Sequence, residues 1–180
     1  MGSKALNLGA GRKRIEGAVN VDLVAGTSPD VVHDLNRFPW PFENGAFHEV
    51  HAADVIEHLE DIVKVMNEIH RVSRPGARVH ITVPHFSSGN AFTDPTHRHY
   101  FGFRSLEYFT GESSFSFYSN CRFKHLHRHI VFYPSLINKL VWRLANRFPE
   151  AYERRWAWMF PAWFLSFELE AIHPASNPVG

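Results

Sequence analysis

KALNLGAGRKRIEGAVNVDL, residues 4–23, is the stretch on which the fold turns. Residues 5–8 and 18–23 are short apolar runs of the kind that form buried strands, each halted by turn chemistry. Gly9 and Gly11 close the first run and Asp22 closes the second. Without a Cβ, backbone at such a turn can approach a ligand closely, and an acid ending the next strand can accept both hydroxyls of a ribose. A plain tight turn has the same glycines, so the segments that follow must separate the two readings.

Downstream, residues 30–33 read as a third short strand, and FPWPFENG (38–45) is a loop by its prolines and Asn-Gly pair. Residues 47–53 make a fourth strand. Val55, Leu59, Ile62, Met66 and Ile69 recur every three or four positions and predict a helix, which Ser73-Arg74-Pro75-Gly76 ends. Residues 77–83 form a fifth strand, with Val79, Ile81 and Val83 alternating. Beyond Pro84 the pattern predicts a long polar and aromatic loop, a helix from Ser105, a strand over 123–133, helices over 136–148 and 150–160, and a last, antiparallel strand over 167–172. Strands alternating with helices or turns, mostly without hairpin signals, define an α/β class. The expected architecture is a Rossmann-like, doubly wound, mostly parallel sheet covered on both faces, with an abbreviated N-terminus.

The 180 residues, 44% of them hydrophobic, fit one domain spanning 1–180. Nineteen basic and 18 acidic side chains nearly cancel, so no strong field draws the protein to nucleic acid. A single cysteine excludes an internal disulfide, and no apolar stretch approaches the ~20 residues of a spanning helix. With no signal-type segment at the N-terminus, the expectation is a cytoplasmic protein without stable membrane insertion.

LNLGAG, VNVDL, VVHDLNRFPWPFENGAFHEVHAADVIEHL and EIHRVSRPGARVHITVPH, in that order over residues 4–85, resemble the class I S-adenosylmethionine-dependent methyltransferases, especially the small type-11-like group. The resemblance implies S-adenosyl-L-methionine as cofactor, bound by the half spanning 4–85, with 86–180 on the acceptor side. Gly9, Ala10 and Gly11 would lie against its methionine and ribose part, with Asn7 hydrogen-bonding the amine. Asp22 would hold the ribose hydroxyls beside Leu23, Asp34 and Leu35 would meet the adenine, and Ala53, Asp54 and His58 would close the pocket.

Three departures from the family pattern stand out. The usual acid two residues before the first glycine is Asn7, and the third glycine is Lys13. The crossover from Gly11 to Asn20 is shorter than the dozen or so residues of a helical one, so a single helical turn is expected to serve. With no helix ahead of strand one, that edge of the pocket is expected to be open or covered by a partner subunit. A nicotinamide-dependent dehydrogenase fits worse. Its fingerprint wants a glycine where Arg14 stands and an acid roughly 20 residues further on, whereas Asp22 follows Gly11 by eleven.

Methyl transfer from a sulfonium is mainly in-line placement in a dry pocket, with a base needed when the acceptor must lose a proton. Four residues are candidates for the catalytic machinery: His85 after strand five, and Asp94, His97 and His99 in the DPTHRHY loop stiffened by Pro95. That loop reads as a polar lining for a small-molecule acceptor; no metal is expected, for want of a paired ligand spacing. His125, His127 and His129 alternate and are expected on one exposed strand face. RRWAWMFPAWFL (154–165) offers a core-packing helix, a lid, a homodimer contact or a membrane-surface segment. The reading is a methyltransferase acting on oxygen or nitrogen of a small-molecule or sugar-like acceptor. Alternatives are a cofactor-binding or scaffolding domain without turnover, and a membrane-peripheral protein.

Overall fold

A computed structural model describes residues 4–112, 119 and 121–173, with only the main chain at 137. Among these residues seven strands form one sheet: β1 (Lys4–Leu8), β2 (Ala18–Asp22), β3 (Val31–Val32), β4 (Phe47–Ala53), β5 (Ser73–Pro84), β6 (Phe123–Val131) and β7 (Phe164–Ala171). Their spatial order is β3-β2-β1-β4-β5-β7-β6. The first five run parallel, and β7 lies antiparallel to both β5 and β6. This is the expected class, with order reversing between β1 and β4.

Among the described residues four α-helices accompany the sheet: α1 (Ile62–Val72), α2 (Asn90–Thr93), α3 (Leu136–Arg147) and α4 (Pro149–Arg155). α1 starts seven residues later than its apolar spacing predicts, because Ile56–His58 forms a 3-10 turn first; the Asp61 side chain then caps α1 by accepting from Lys64 N–H at 3.0 Å. The segment after Ser105 is likewise a 3-10 turn (Ser105–Phe109), and α4 stops at Arg155 instead of running to 160. β7 begins three residues before the expected strand and β5 four.

Strand parity divides the sheet into two unlike faces. Leu6, Leu8, Val50, Ala52, Val79, Ile81, Phe167 and Leu169 are in register on one face and essentially inaccessible. Val65, Met66, Ile69 and Val72 of α1 join them in the core; each such side chain stabilises by about 1.5–3 kcal/mol relative to exposure. The opposite face carries, in register, Asn7, His51, His80, Glu168 and His127, with Glu49 and Arg78 beside them. These side chains pair with one another: Glu49 reaches His80 at 3.1 Å, and His51 stacks on His80 with centroids 4.9 Å apart. Helical cover on both faces was expected; among the described residues no helix buries side chains against this one. Alternation of apolar and polar residues along β4 and β5 is the physical reason, since a sheet face that meets water must be polar.

Two further differences follow from local chemistry. Between β1 and β2 there is no helix, only tight turns, closed by Lys13 N–H to the Ala10 carbonyl (2.7 Å) and Ala18 N–H to the Ile15 carbonyl (3.3 Å) and braced by side chains. Asn7 Nδ2 donates to Asn20 Oδ1 (2.9 Å) and to the Lys13 carbonyl (3.0 Å), and Asn20 Nδ2 donates to Asp30 at 2.9 Å. In β6 the register shifts between His125 and His127, so a bulge turns His125 to the apolar face opposite Leu169 while His127 and His129 stay outside. The three histidines therefore do not share one face. His125 is held below the ordinary imidazole range by burial and by Arg128.

Candidate functional site

At the β1–β4 switch point the chain builds a crest from the opening stretch. Gly9 and Gly11 both take positive φ, +61° and +47°, conformations that a side chain disfavours. The Gly11 N–H donates to Asp22 Oδ2 at 2.7 Å and the Val24 N–H to Asp22 Oδ1 at 2.8 Å, so two backbone amides aim the carboxylate. Beside it Leu23 and Val24 are exposed, 63% and 56%, an apolar shelf next to an acid. Space beyond Gly11 is open, with no atom nearer than 4.0 Å to a Cβ placed there. Gly9 differs: Val55 fills the space over it, 2.4 Å from where its Cβ would be. Ala10 is buried, its N–H donating to the Val21 carbonyl at 2.9 Å.

Lys13 reaches across the crest to Asp54, Nζ to Oδ2 at 3.1 Å. Asp54 holds φ +55°, and its Oδ1 is buried without a partner. Ala53 beside it is exposed. Asp34 accepts from the Asn36 N–H at 3.0 Å, and Asn36 Oδ1 accepts from the Glu60 N–H at 2.8 Å, which ties this loop to the segment after β4. Leu35 lies in the core, with its carbonyl accepting from Trp40 Nε1 at 3.1 Å. Asn7 is buried, with its amide N–H groups donating to Lys13 and Asn20 within the β1–β2 turns.

Next to this crest, a cavity of about 510 Å³ is lined by Asp54, Glu57, His58, Asp94, His97 and Phe164, among others. The 94–97 loop folds back over the end of β4, with the Arg98 N–H donating to the Glu57 carbonyl at 2.8 Å. Glu57 is 1% exposed, neither carboxylate oxygen has a hydrogen-bond partner, and burial together with the Asp54 and Asp94 carboxylates pushes it up to about 7. His97 Nε2 lies 4.0 Å from Glu57 Oε1, and the rings of His58 and His97 meet edge to face at 4.6 Å. Burial, then the neighbouring His97, lowers His58. Asp94 accepts from the Thr96 hydroxyl (2.7 Å) and N–H (2.8 Å), bonds that keep it below the usual carboxylate range.

Two candidates of the catalytic group stand behind this cavity. His85 shares the strand parity of Val79, Ile81 and Val83, so it points to the helix-covered face; it is fully buried, with Nδ1 bonded to Ser87 Oγ (2.8 Å) and Nε2 to Glu153 Oε1 (3.2 Å). His99 Nε2 bonds the Leu59 carbonyl at 2.8 Å, fastening the loop. Glu57 was not singled out from the sequence, and its signal was the Glu-His pair in the 3-10 turn that follows the fourth strand. Lys13, read there only as a missing glycine, faces Asp54.

Residues 10–81 match the family model described as "Methyltransferase domain". No curated protein sequence matches the chain. Among solved structures, an S-adenosylmethionine-dependent methyltransferase from Archaeoglobus fulgidus superposes with TM-score 0.66 at 16% identity, over 93% of this chain and 86% of that one. One from Mesorhizobium loti gives 0.60 at 14%, over 94% and 91%. The [4+2]-cyclase SpnF gives 0.60 at 14%, over 96% and 76%, so the fold also carries other chemistry. The chain therefore has the fold of these S-adenosylmethionine-dependent methyltransferases, and residues 10–81 match a methyltransferase-domain family model.

Proposed function

We propose that the protein transfers a methyl group from S-adenosyl-L-methionine to an oxygen or nitrogen of a small polar acceptor. The supporting observation is the juxtaposition at one sheet edge of the Gly11–Asp22 crest and the cavity formed by Glu57, His58 and His97. The crest fits the cofactor by its open backbone at Gly11, its aimed carboxylate at Asp22 and the apolar shelf of Leu23 and Val24. Asp22 holds the ribose hydroxyls, while Lys13 and Asp54 supply one cation and one anion for the two charges of an amino-acid moiety. When bound, the cofactor supplies an electrophilic methyl on a sulfonium. The acceptor atom would gain that carbon, the broken bond's electron pair would stay on the sulfur as a neutral thioether, and the acceptor's proton would leave into the polar cavity. Asp94, through Thr96, orients this lining. His85 and His99 act by holding the loop and strand ends.

Calorimetry with S-adenosylhomocysteine tests the reading. Binding is expected, and Asp22→Ala is expected to weaken it at least tenfold, about 1.4 kcal/mol. A wild-type protein that ignores millimolar cofactor and product alike removes the proposal. Binding without methylated product across a panel of hydroxyl and amine acceptors would favour the alternative of a domain without turnover.

A specific surface supports a peripheral membrane role as a second reading. Leu136, Leu140 and Leu144, spaced by four on α3, are 85%, 63% and 55% exposed, and Trp158 beyond α4 is 69% exposed. Lys139, Arg143 and Arg147 form a parallel basic stripe on α3, and Arg154 and Arg155 end α4; all five are exposed. Apolar and cationic stripes side by side suit an anionic interface, and the like charges oppose a homodimer through the same face. No helix among the described residues is long and apolar enough to cross a membrane. Co-sedimentation with vesicles containing phosphatidylglycerol, but not with phosphatidylcholine alone, is the expected result. A soluble dimer that ignores both would return the surface to the homodimer reading.

A further inference from the structure

The cavity beside the crest has more order than an acceptor lining needs. Glu57 is 1% exposed and presents two carboxylate oxygens with no donor, although an isolated buried carboxylate is among the costliest groups to leave unpaired. Facing it, both histidines have one ring nitrogen committed. His97 Nδ1 bonds the Ala91 carbonyl at 3.0 Å; since a carbonyl only accepts, that nitrogen carries a proton, and in the neutral ring Nε2 keeps its lone pair. His58 Nδ1 meets Thr96 Oγ1 at 2.8 Å, and the Thr96 hydroxyl donates to Asp94 Oδ1 at 2.7 Å. The hydroxyl therefore accepts from His58, whose Nε2 is likewise left as a lone pair. One donor atom from each of Glu57, His58 and His97 lies within 4.8 Å of the other two.

We propose that Glu57, His58 and His97 are the three protein ligands of a first-row divalent cation, with zinc chemistry, in a site that keeps an open position toward the cavity. Two imidazole nitrogens and one carboxylate are a borderline-soft donor set, one that suits zinc and its first-row neighbours better than magnesium or calcium. The Asp94–Thr96–His58 chain and the Ala91 carbonyl on His97 are the outer hydrogen bonds that such ligands need to fix tautomer and ring orientation. A tetrahedral ion with bonds of about 2.0–2.1 Å holds its ligands roughly 3.3 Å apart, so donors now within 4.8 Å of one another must draw in by up to about 1.5 Å to close the site. Taken with the proposed methyl transfer, the open position would bind the acceptor oxygen and ease loss of its proton. The metal site itself stands without that reading.

The test is titration of the untagged, chelator-treated chain with cobalt(II) and with zinc. One equivalent is expected to bind, with intense visible cobalt absorption that zinc abolishes. Glu57→Gln, which keeps shape and volume, and His97→Ala are each expected to weaken uptake at least tenfold; Thr96→Val, which unfastens His58, is expected to weaken it less. His51→Ala and His127→Ala, on the open sheet face, are expected to change nothing. Absence of stoichiometric uptake, uptake indifferent to Glu57→Gln, or uptake lost with the sheet-face histidines instead would overturn the proposal. Should His97→Ala fail to fold, as judged by circular dichroism, Glu57→Gln decides. Calorimetry with S-adenosylhomocysteine in the presence of chelator separates the two proposals: cofactor binding there with no metal uptake overturns only the metal site.

Discussion

A methyl group on Gly9 would sit 2.4 Å from Val55 Cγ2 and 2.7 Å from Val55 Cβ, on backbone already at φ +61°. Val55 is β-branched and 8% exposed, so it has little room to withdraw. Gly9→Ala is therefore expected to cost about 2–4 kcal/mol, from αL strain plus overpacking, and Val55→Ala in the same chain to restore part of it, as read by urea unfolding. Gly9 thus serves packing, whereas Gly11 keeps open space. His85 makes a second point at this scale. Buried between Ser87 and Glu153, it is expected to behave as a structural group: His85→Ala should lose about 2–4 kcal/mol of stability, while cofactor affinity and turnover of the folded fraction change little. Turnover falling a hundredfold at unchanged stability would put His85 back in the chemistry.

Elements in this protein are fastened to one another by a few multiply bonded side chains. Glu107, 5% exposed in its 3-10 turn, takes Arg104 Nε at 2.7 Å and Arg128 Nη1 of β6 at 2.6 Å, and Arg128 also lies 4.6 Å over the Phe103 ring. Burial alone would raise Glu107, but the two guanidinium hydrogen bonds outweigh it and hold it below the ordinary value of 4.5. The native state binds the proton less readily than the unfolded one. The pair's contribution is thus fully present above pH 4.5 and lost as pH falls through the lower native value. Glu107→Gln is expected to be less stable than wild type by about 1–3 kcal/mol at neutral pH, with the gap narrowing in urea titrations as the pH falls below 4.5. The β1–β2 bends depend likewise on Asn20, which accepts from Asn7 Nδ2 and the Ile15 N–H and donates to Asp30. Asn20→Ala, leaving those buried groups unpaired, is expected to cost about 2–4 kcal/mol and to weaken cofactor binding through the displaced Gly11.

Over the whole molecule, one face of the sheet holds the core and the other holds a polar lattice of histidines, carboxylates and Arg78. The α3–α4 hairpin adds an apolar and basic ridge beyond both. Because that ridge is exposed, Leu136→Glu and Leu140→Glu are expected to change unfolding free energy by less than about 0.5 kcal/mol while removing any vesicle attachment. A loss of several kcal/mol would mean that the ridge packs inside the protein.

Much of this was legible in the residues themselves. Two apolar runs with Gly9, Gly11 and Asp22 between and after them specify strand, turn, strand and acid, because period-two burial and glycine's freedom are local properties. Residues 47–53 formed the expected strand for the same reason. Parity along β5 already assigns His85 to the apolar side with Val79, Ile81 and Val83, and the polar alternation in β4 and β5 marks a solvated face; both were readable. What spacing could not supply was the meeting of Glu57 and His58 with His97, some forty residues later, since closure of a loop depends on where its far end packs. Nor could it supply the bulge that parts His125 from His127, or the Val55 side chain over Gly9. Amino-acid order alone set the α/β class and the Gly11–Asp22 crest, because near-neighbour sterics and hydrophobic period dictate them; which histidines converge on which carboxylate was decided only by the tertiary fold, because that depends on contacts between segments far apart along the chain.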